Sequence, residues 1–327
     1  MKLYLNIFAV FTMSLLYSGD WIGVTSDVNS EAEIILEESN IESSILTFKT
    51  SGYIIEEVQT QRGISSIISI DEGTPILEQG YPDIPKLTSS VIIPNLGEMS
   101  ISIIDSEYSD YENINIAPSK GNLFRNVDPS TIDYQYGLQY EVDDFYPGVL
   151  ADLRDPYIAR DFRGQTIIAY PFQYNPVKKT LRVYHTITVK VENIGGNGIN
   201  EKVFSRSELN IKKEYNGIYQ EHFENYNNVD RYDVLSDQGN MLIICYDSFM
   251  DEMEPFVDWK RMKGMSTEII AVSDIGGSSG AIESFVEDFY YSEGLTFLLL
   301  VGDINQIPSP SVGGSASDPT YGFIEGT

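Results

Sequence analysis

The sequence predicts a mixed fold: an N-terminal, mainly antiparallel β domain of sandwich or barrel type, followed by an α/β domain with a parallel sheet. Three observations carry that reading. Short β-like segments separated by turn formers fill the stretch from about Ser30 to Asn200. A polar stretch follows the GGNG at 195–198. From Met241 onward, apolar runs alternate with stripes of helical period.

At the N-terminus, Lys2 precedes a mostly apolar run from Leu3 to Leu16, and small residues follow at Ser18-Gly19 and Val24-Thr25-Ser26. Charge, apolar run and small-residue site come in the order of a secretory signal. The run is too short for a bilayer span, which takes roughly 20 residues. Export is therefore expected, with the signal assigned to residues 1–26.

The segments SSILTFKT, SGYIIEEVQT, ISSIISI, SVIIPN, MSISIID, QTIIAYPF and TLRVYHTITVKVEN then read as strands. The last alternates cleanly, with Leu181, Val183, His185, Ile187, Val189 and Val191 on one face. His185 is thus expected to be a core histidine. The β region is taken as 27–200 and the polar stretch 201–239 as an exposed linker with a helical central piece.

The second regime reads strand (Leu242–Tyr246), helix, strand (Thr267–Val272), helix, strand (Thr296–Val301). Asp247 or Ser248 can cap the first helix and Gly264 can end it. Met253, Phe256 and Val257, then Ile282, Phe285, Val286 and Phe289, fall at the spacing of buried stripes. Such a β-α-β order gives a parallel sheet covered on both faces. The greasy Leu295–Val301 is expected to be its central strand. GGSSG at 276–280 is read as a loop before a helix, with a weak second reading as an anion cradle.

Composition limits the function. The chain has 327 residues and a formal net charge of −28. Such a polyanion is repelled by nucleic acid and by anionic membranes. The single Cys245 excludes an internal disulfide framework and, lying in an apolar run, reads as a buried thiol. The only histidines, His185 and His222, sit in no suggestive context. Asp303, at the end of Leu295–Val301, stands where parallel sheets place ligands. It is either a turn carboxylate bonded to the backbone of Asn305 or a site residue, metal ligand or acid/base group.

Three stretches carry a resemblance. LIICYDSFMDEMEPFVDWKRMKGMSTEIIAVSDIG, FLLLVGDINQIP and SDPTYGFIEG, in that order and spacing, resemble the opening of a gingipain-type cysteine peptidase domain. RDFRGQTIIAYPFQYNPVKKTLRVYHTITVKV resembles that family's pro-segment. The resemblance implies a latent, exported endopeptidase precursor acting on protein or peptide substrates. Its peptidase domain would be caspase-like, beginning at about residue 240, and would be held by its own pro-segment. The family's nucleophile and base match no residue here. No catalytic residue is assigned, and residues 1–327 alone are expected to be inactive. The resemblance also implies a structural Ca²⁺, with Asp303 and the backbone carbonyl of Glu325 as ligands. Asp318 and Tyr321 are read as shaping the same loop.

Two other classes compete. One is a receiver-like phospho-accepting domain, with Asp247 beside Asp303. The other is a secreted, non-enzymatic β-domain adhesin with a degenerate peptidase-like partner. Maturation is expected by cleavage between Gly195 and Asn240, with Arg206 and Arg231 as candidate positions.

Overall fold

The computed structural model describes residues 19–25, 28, 30–203, 210–228, 233–235 and 239–324. The apolar run of the signal, Arg206, Arg231 and Glu325 lie outside the described residues.

The β domain is built from β1 (Glu33–Ser39), β2 (Ser43–Lys49), β3 (Gly52–Thr60), β4 (Gly63–Ser69), β5 (Pro85–Ile93), β6 (Glu98–Tyr111), β7 (Tyr157–Ala159), β8 (Phe162–Ala169), β9 (Phe172–Asn175) and β10 (Thr180–Gly195). One sheet runs β9-β10-β2-β1, with β6 also on β10; a second contains β7-β8-β5; and β3 pairs with β4. All of these pairings are antiparallel. Asp20–Gly23, within the span assigned to the signal, pairs with β3 and so belongs to this domain.

The alternation in β10 does what it predicts at Leu181, Val183, Ile187, Val189 and Val191, which are buried among Leu46, Phe48, Leu87, Ile167 and Phe172. His185 departs from it. A register shift against β6 between Tyr184 and Thr186 leaves His185 without an opposed residue, half-buried, its Nε2 2.9 Å from Ser109 Oγ. A β-bulge thus takes this histidine out of the core.

The expected linker is partly docked. Lys213–His222 forms helix α1, and Ile211, Tyr219, Phe223 and Tyr226 bury against Phe162 of β8. Asn225 holds the edge of β5: its Oδ1 accepts from Ile92 N–H at 2.8 Å and its amide donates to Ile92 O at 2.9 Å. Residues 210–228 are therefore part of the β domain. The polar residues that read as a linker lie on the outer face of α1, and four apolar or aromatic side chains suffice to dock it.

The α/β unit contains β11 (Met241–Cys245), α2 (Met250–Met262), β12 (Thr267–Ala271), α3 (Ser279–Glu293) and β13 (Phe297–Val301). The parallel sheet has the order β12-β11-β13. Met253, Phe256 and Val257 of α2 cover one face, and Ile282, Val286 and Tyr290 of α3 cover the other. The central strand is β11, every residue of which is buried; β13 lies at the edge among the described strands and is half-buried throughout. Apolarity alone could not rank the two strands, because both are covered by helices on their faces.

Capping also differs from expectation. Asp247 accepts from the Ser273 hydroxyl rather than capping α2, while Gly264 does follow the helix with a left-handed φ of +84°. In GGSSG, Ser278 Oγ accepts from Ala281 N–H at 3.2 Å and caps α3, so this stretch is a helix start. No helix among the described residues is long and apolar enough to cross a membrane.

Candidate functional site

Asp303 follows β13 after one residue, Gly302, and forms a tight turn. Its carbonyl accepts from Gln306 N–H and Ile307 N–H, each at 2.8 Å, and its own N–H donates to Gln306 Oε1 at 2.7 Å. Its carboxylate Oδ1 accepts from Ile304 N–H at 2.6 Å. The backbone partner is thus Ile304, not Asn305, because the turn brings the next amide closest. Asp318 opens a 3₁₀ turn, Asp318–Gly322, and accepts from the Ser309 hydroxyl. Tyr321 is buried and its hydroxyl donates to Pro308 O.

Asp303 and Asp318 line one groove of about 400 Å³, with Ile307, Ser309 and Pro319 around them. Asp303, Asp318 and Ser309 offer only hard oxygen donors, the chemistry that suits Ca²⁺ or Mg²⁺ rather than a soft metal. In number they fall short, because no group of three acidic, histidine or cysteine side chains converges among the described residues. Glu325, the other expected ligand, lies outside them.

Cys245 and the histidines are far from forming a nucleophile and base. Cys245 is fully buried on β11, and burial raises its thiol pKa. His222, at the end of α1, has Nε2 2.6 Å from Tyr157 Oη, and His185 bonds Ser109. The structure brings no cysteine–histidine pair together among the described residues.

A second site lies at the seam between the β domain and the α/β unit. Arg160, in the turn between β7 and β8, donates through Nη1 to Leu295 O at 2.5 Å. The Tyr215 hydroxyl of α1 donates to Thr296 O at 3.0 Å. A cavity of about 280 Å³ adjoins them, walled by Ile158, Val286, Tyr290 and Leu298. Arg160 opens the RDFRGQ stretch that resembles the family's pro-segment, but nothing in that stretch marks its partner, and Tyr215 lies in no motif.

Comparison with known proteins decides the family. The Propeptide_C25 model matches residues 25–217, more than half of the chain, and the Peptidase family C25 model matches residues 235–327. The chain belongs to the gingipain family, C25. Gingipain R1 of Porphyromonas gingivalis is 37% identical over 301 residues, covering 89% of this chain and 30% of that protein. Gingipain R2 of the same species is 34% identical over 331 residues, covering 99% of this chain and 45% of that protein. The chain thus spans less than half the length of either relative. A solved complex of Porphyromonas gingivalis RgpB pro- and mature domains matches with a TM-score of 0.55 at 35% identity, over 59% of this chain and 97% of the matched one. This gingipain-family chain therefore joins a pro-segment to residues of a peptidase domain. The family match removes the receiver-like reading of Asp247 and Asp303.

Proposed function

We propose that this chain is the exported, latent precursor form of a gingipain-like cysteine endopeptidase acting on protein or peptide substrates. The observation that supports it is the seam: the matched pro-segment packs against the matched peptidase residues through Arg160 and Tyr215. In this chemistry a thiolate attacks the peptide carbonyl and a histidine carries the proton to the leaving amine. Cys245 is not the nucleophile, since a buried thiol of raised pKa can neither ionise readily nor meet a substrate.

The pro-segment extends to about residue 228, because α1 and Asn225 are docked on β5 and β8. Cleavage between about 229 and 240, with Arg231 as its basic position, would separate the units. Pairing of Asp20–Gly23 with β3 favours signal removal at Ser18-Gly19.

The test uses the full-length precursor and a second preparation cleaved at the connector. Only the cleaved form should hydrolyse casein, and alkylation of accessible thiols should abolish the activity. Cys245→Ala should retain activity. Activity that is insensitive to alkylation, or lost with Cys245→Ala, would overturn the reading. A secreted adhesin without catalysis would show no hydrolysis in either form.

The Asp303 groove supports a structural calcium as part of the same reading. Asp303 would supply a carboxylate, Asp318 could add a second, and the carbonyl of Glu325 would add another oxygen. The ion would tie the end of β13 to the loop at 317–322 and would stabilise the fold by mass action rather than enter the chemistry.

A further inference from the structure

We propose that Arg160 is the recognition residue by which the pro-segment holds its own α/β unit, with the Tyr215 hydroxyl as the second arm of the clasp. This rests on the pro-segment reading above and names the contact through which it acts. The backbone is the starting point. Ala159 pairs with Phe162, so Arg160 and Asp161 are the two central residues of a tight hairpin turn. Arg160 holds φ at +52°, in the left-handed region. Glycine is the usual residue there, because a Cβ crowds the backbone. The position therefore costs some backbone strain, and its side chain is the one that reaches the α/β unit.

What it does is bridge the units. The guanidinium donates to Leu295 O, lies 4.7 Å from the Tyr215 ring centroid and 5.8 Å from that of Tyr290. Asp161 sits 3.8 Å from Nε, and the Arg160 side chain is only 14% exposed. Tyr215 binds the next carbonyl, Thr296 O. Sheet pairing of β13 begins at Phe297, so the carbonyls of Leu295 and Thr296 precede the ladder and are open to side-chain donors. Beside the clasp, the apolar walls of the seam leave a cavity between them. Two directed hydrogen bonds and a cation–π stack thus join the units beside that cavity. Lysine cannot substitute, since it has neither the planar face nor the forked donors.

Hydrogen exchange on the full-length precursor tests this, with Arg160→Gly, Arg160→Lys and Tyr215→Phe. Glycine suits the turn, so the β5–β8 ladder serves as the internal control. Amides from 295 to 301 should exchange at least tenfold faster in both arginine variants and about threefold faster in Tyr215→Phe, with the ladder unchanged. Wild-type exchange in Arg160→Gly, or full restoration by lysine, would overturn the clasp. If the ladder also loosens in Arg160→Gly, Tyr215→Phe decides, because it leaves the hairpin intact: wild-type exchange at 295–301 in that variant overturns the clasp. A precursor that yields no thiol-dependent peptidase would sink the pro-segment reading and leave the exchange result standing.

Discussion

The guanidinium of Arg163, wholly buried, donates to the Ile199 carbonyl at 2.6 Å and fastens the chain leaving β10 to the β domain. The same side chain donates to Pro94 O at 3.0 Å and Gly97 O at 2.9 Å. Glu201 Oε1 closes the arrangement by accepting from Gly97 N–H at 2.8 Å and Gly198 N–H at 2.9 Å. Arg163→Met removes the donor from three carbonyls, of which that of Gly97 is buried and those of Pro94 and Ile199 partly so. The expected cost is about 3 kcal/mol, read as a lower urea midpoint at unchanged slope. A loss below about 1 kcal/mol would mean that water replaces the guanidinium.

Asn225 stands in for a neighbouring strand at Ile92. Asn225→Ala should destabilise by about 2 kcal/mol, since two main-chain groups of Ile92 lose their partners. Limited proteolysis of the full chain gives the sharper readout. Residues 210–228 should resist cleavage in the wild type and become cleavable in the variant. Ready cutting inside α1 of the wild type would restore the linker reading.

Asp83 gives a pH dependence whose sign is opposite to that of a paired carboxylate. Burial raises its pKa to about 6, against the opposing pull of Lys120. In the unfolded chain the same group ionises near pH 4. Between those values the folded state binds the proton more tightly, so stability falls as pH rises from about 4 to about 6 and stays lower above that. The loss is about 3 kcal/mol at most. Asp83→Asn should flatten this part of the profile, with little change at pH 4 and a gain at pH 8. Melting temperatures across that range, unaltered in slope by the substitution, would count against the assignment.

Asp303→Asn probes the proposed calcium site in the full-length protein. The variant should melt lower than wild type in calcium and nearly alongside it in chelator, while the folded, calcium-loaded enzyme keeps most of its activity. An identical calcium response in both proteins would leave Asp303 as a turn residue. Retained calcium response with lost turnover would make it catalytic.

Much of this was legible in the sequence. The order of strands and helices, the two-regime division, the buried stripes of α2 and α3 and the alternation in β10 all follow from local periodicity, which a chain carries without its partners. The family resemblance was legible too, because its motifs are contiguous. What only the tertiary structure decided is which surfaces meet. Leu295–Val301 and Met241–Cys245 are equally apolar as strings, and only pairing made the second central. His185 fits the core alternation until a bulge, set by β6, removes it. Residues 210–228 look polar because their docking uses a few aromatic side chains and one asparagine, too sparse a signal for any window average. Arg160, Tyr215, Leu295 and Thr296 meet only because two units distant along the chain pack together, and no spacing along the chain encodes that contact.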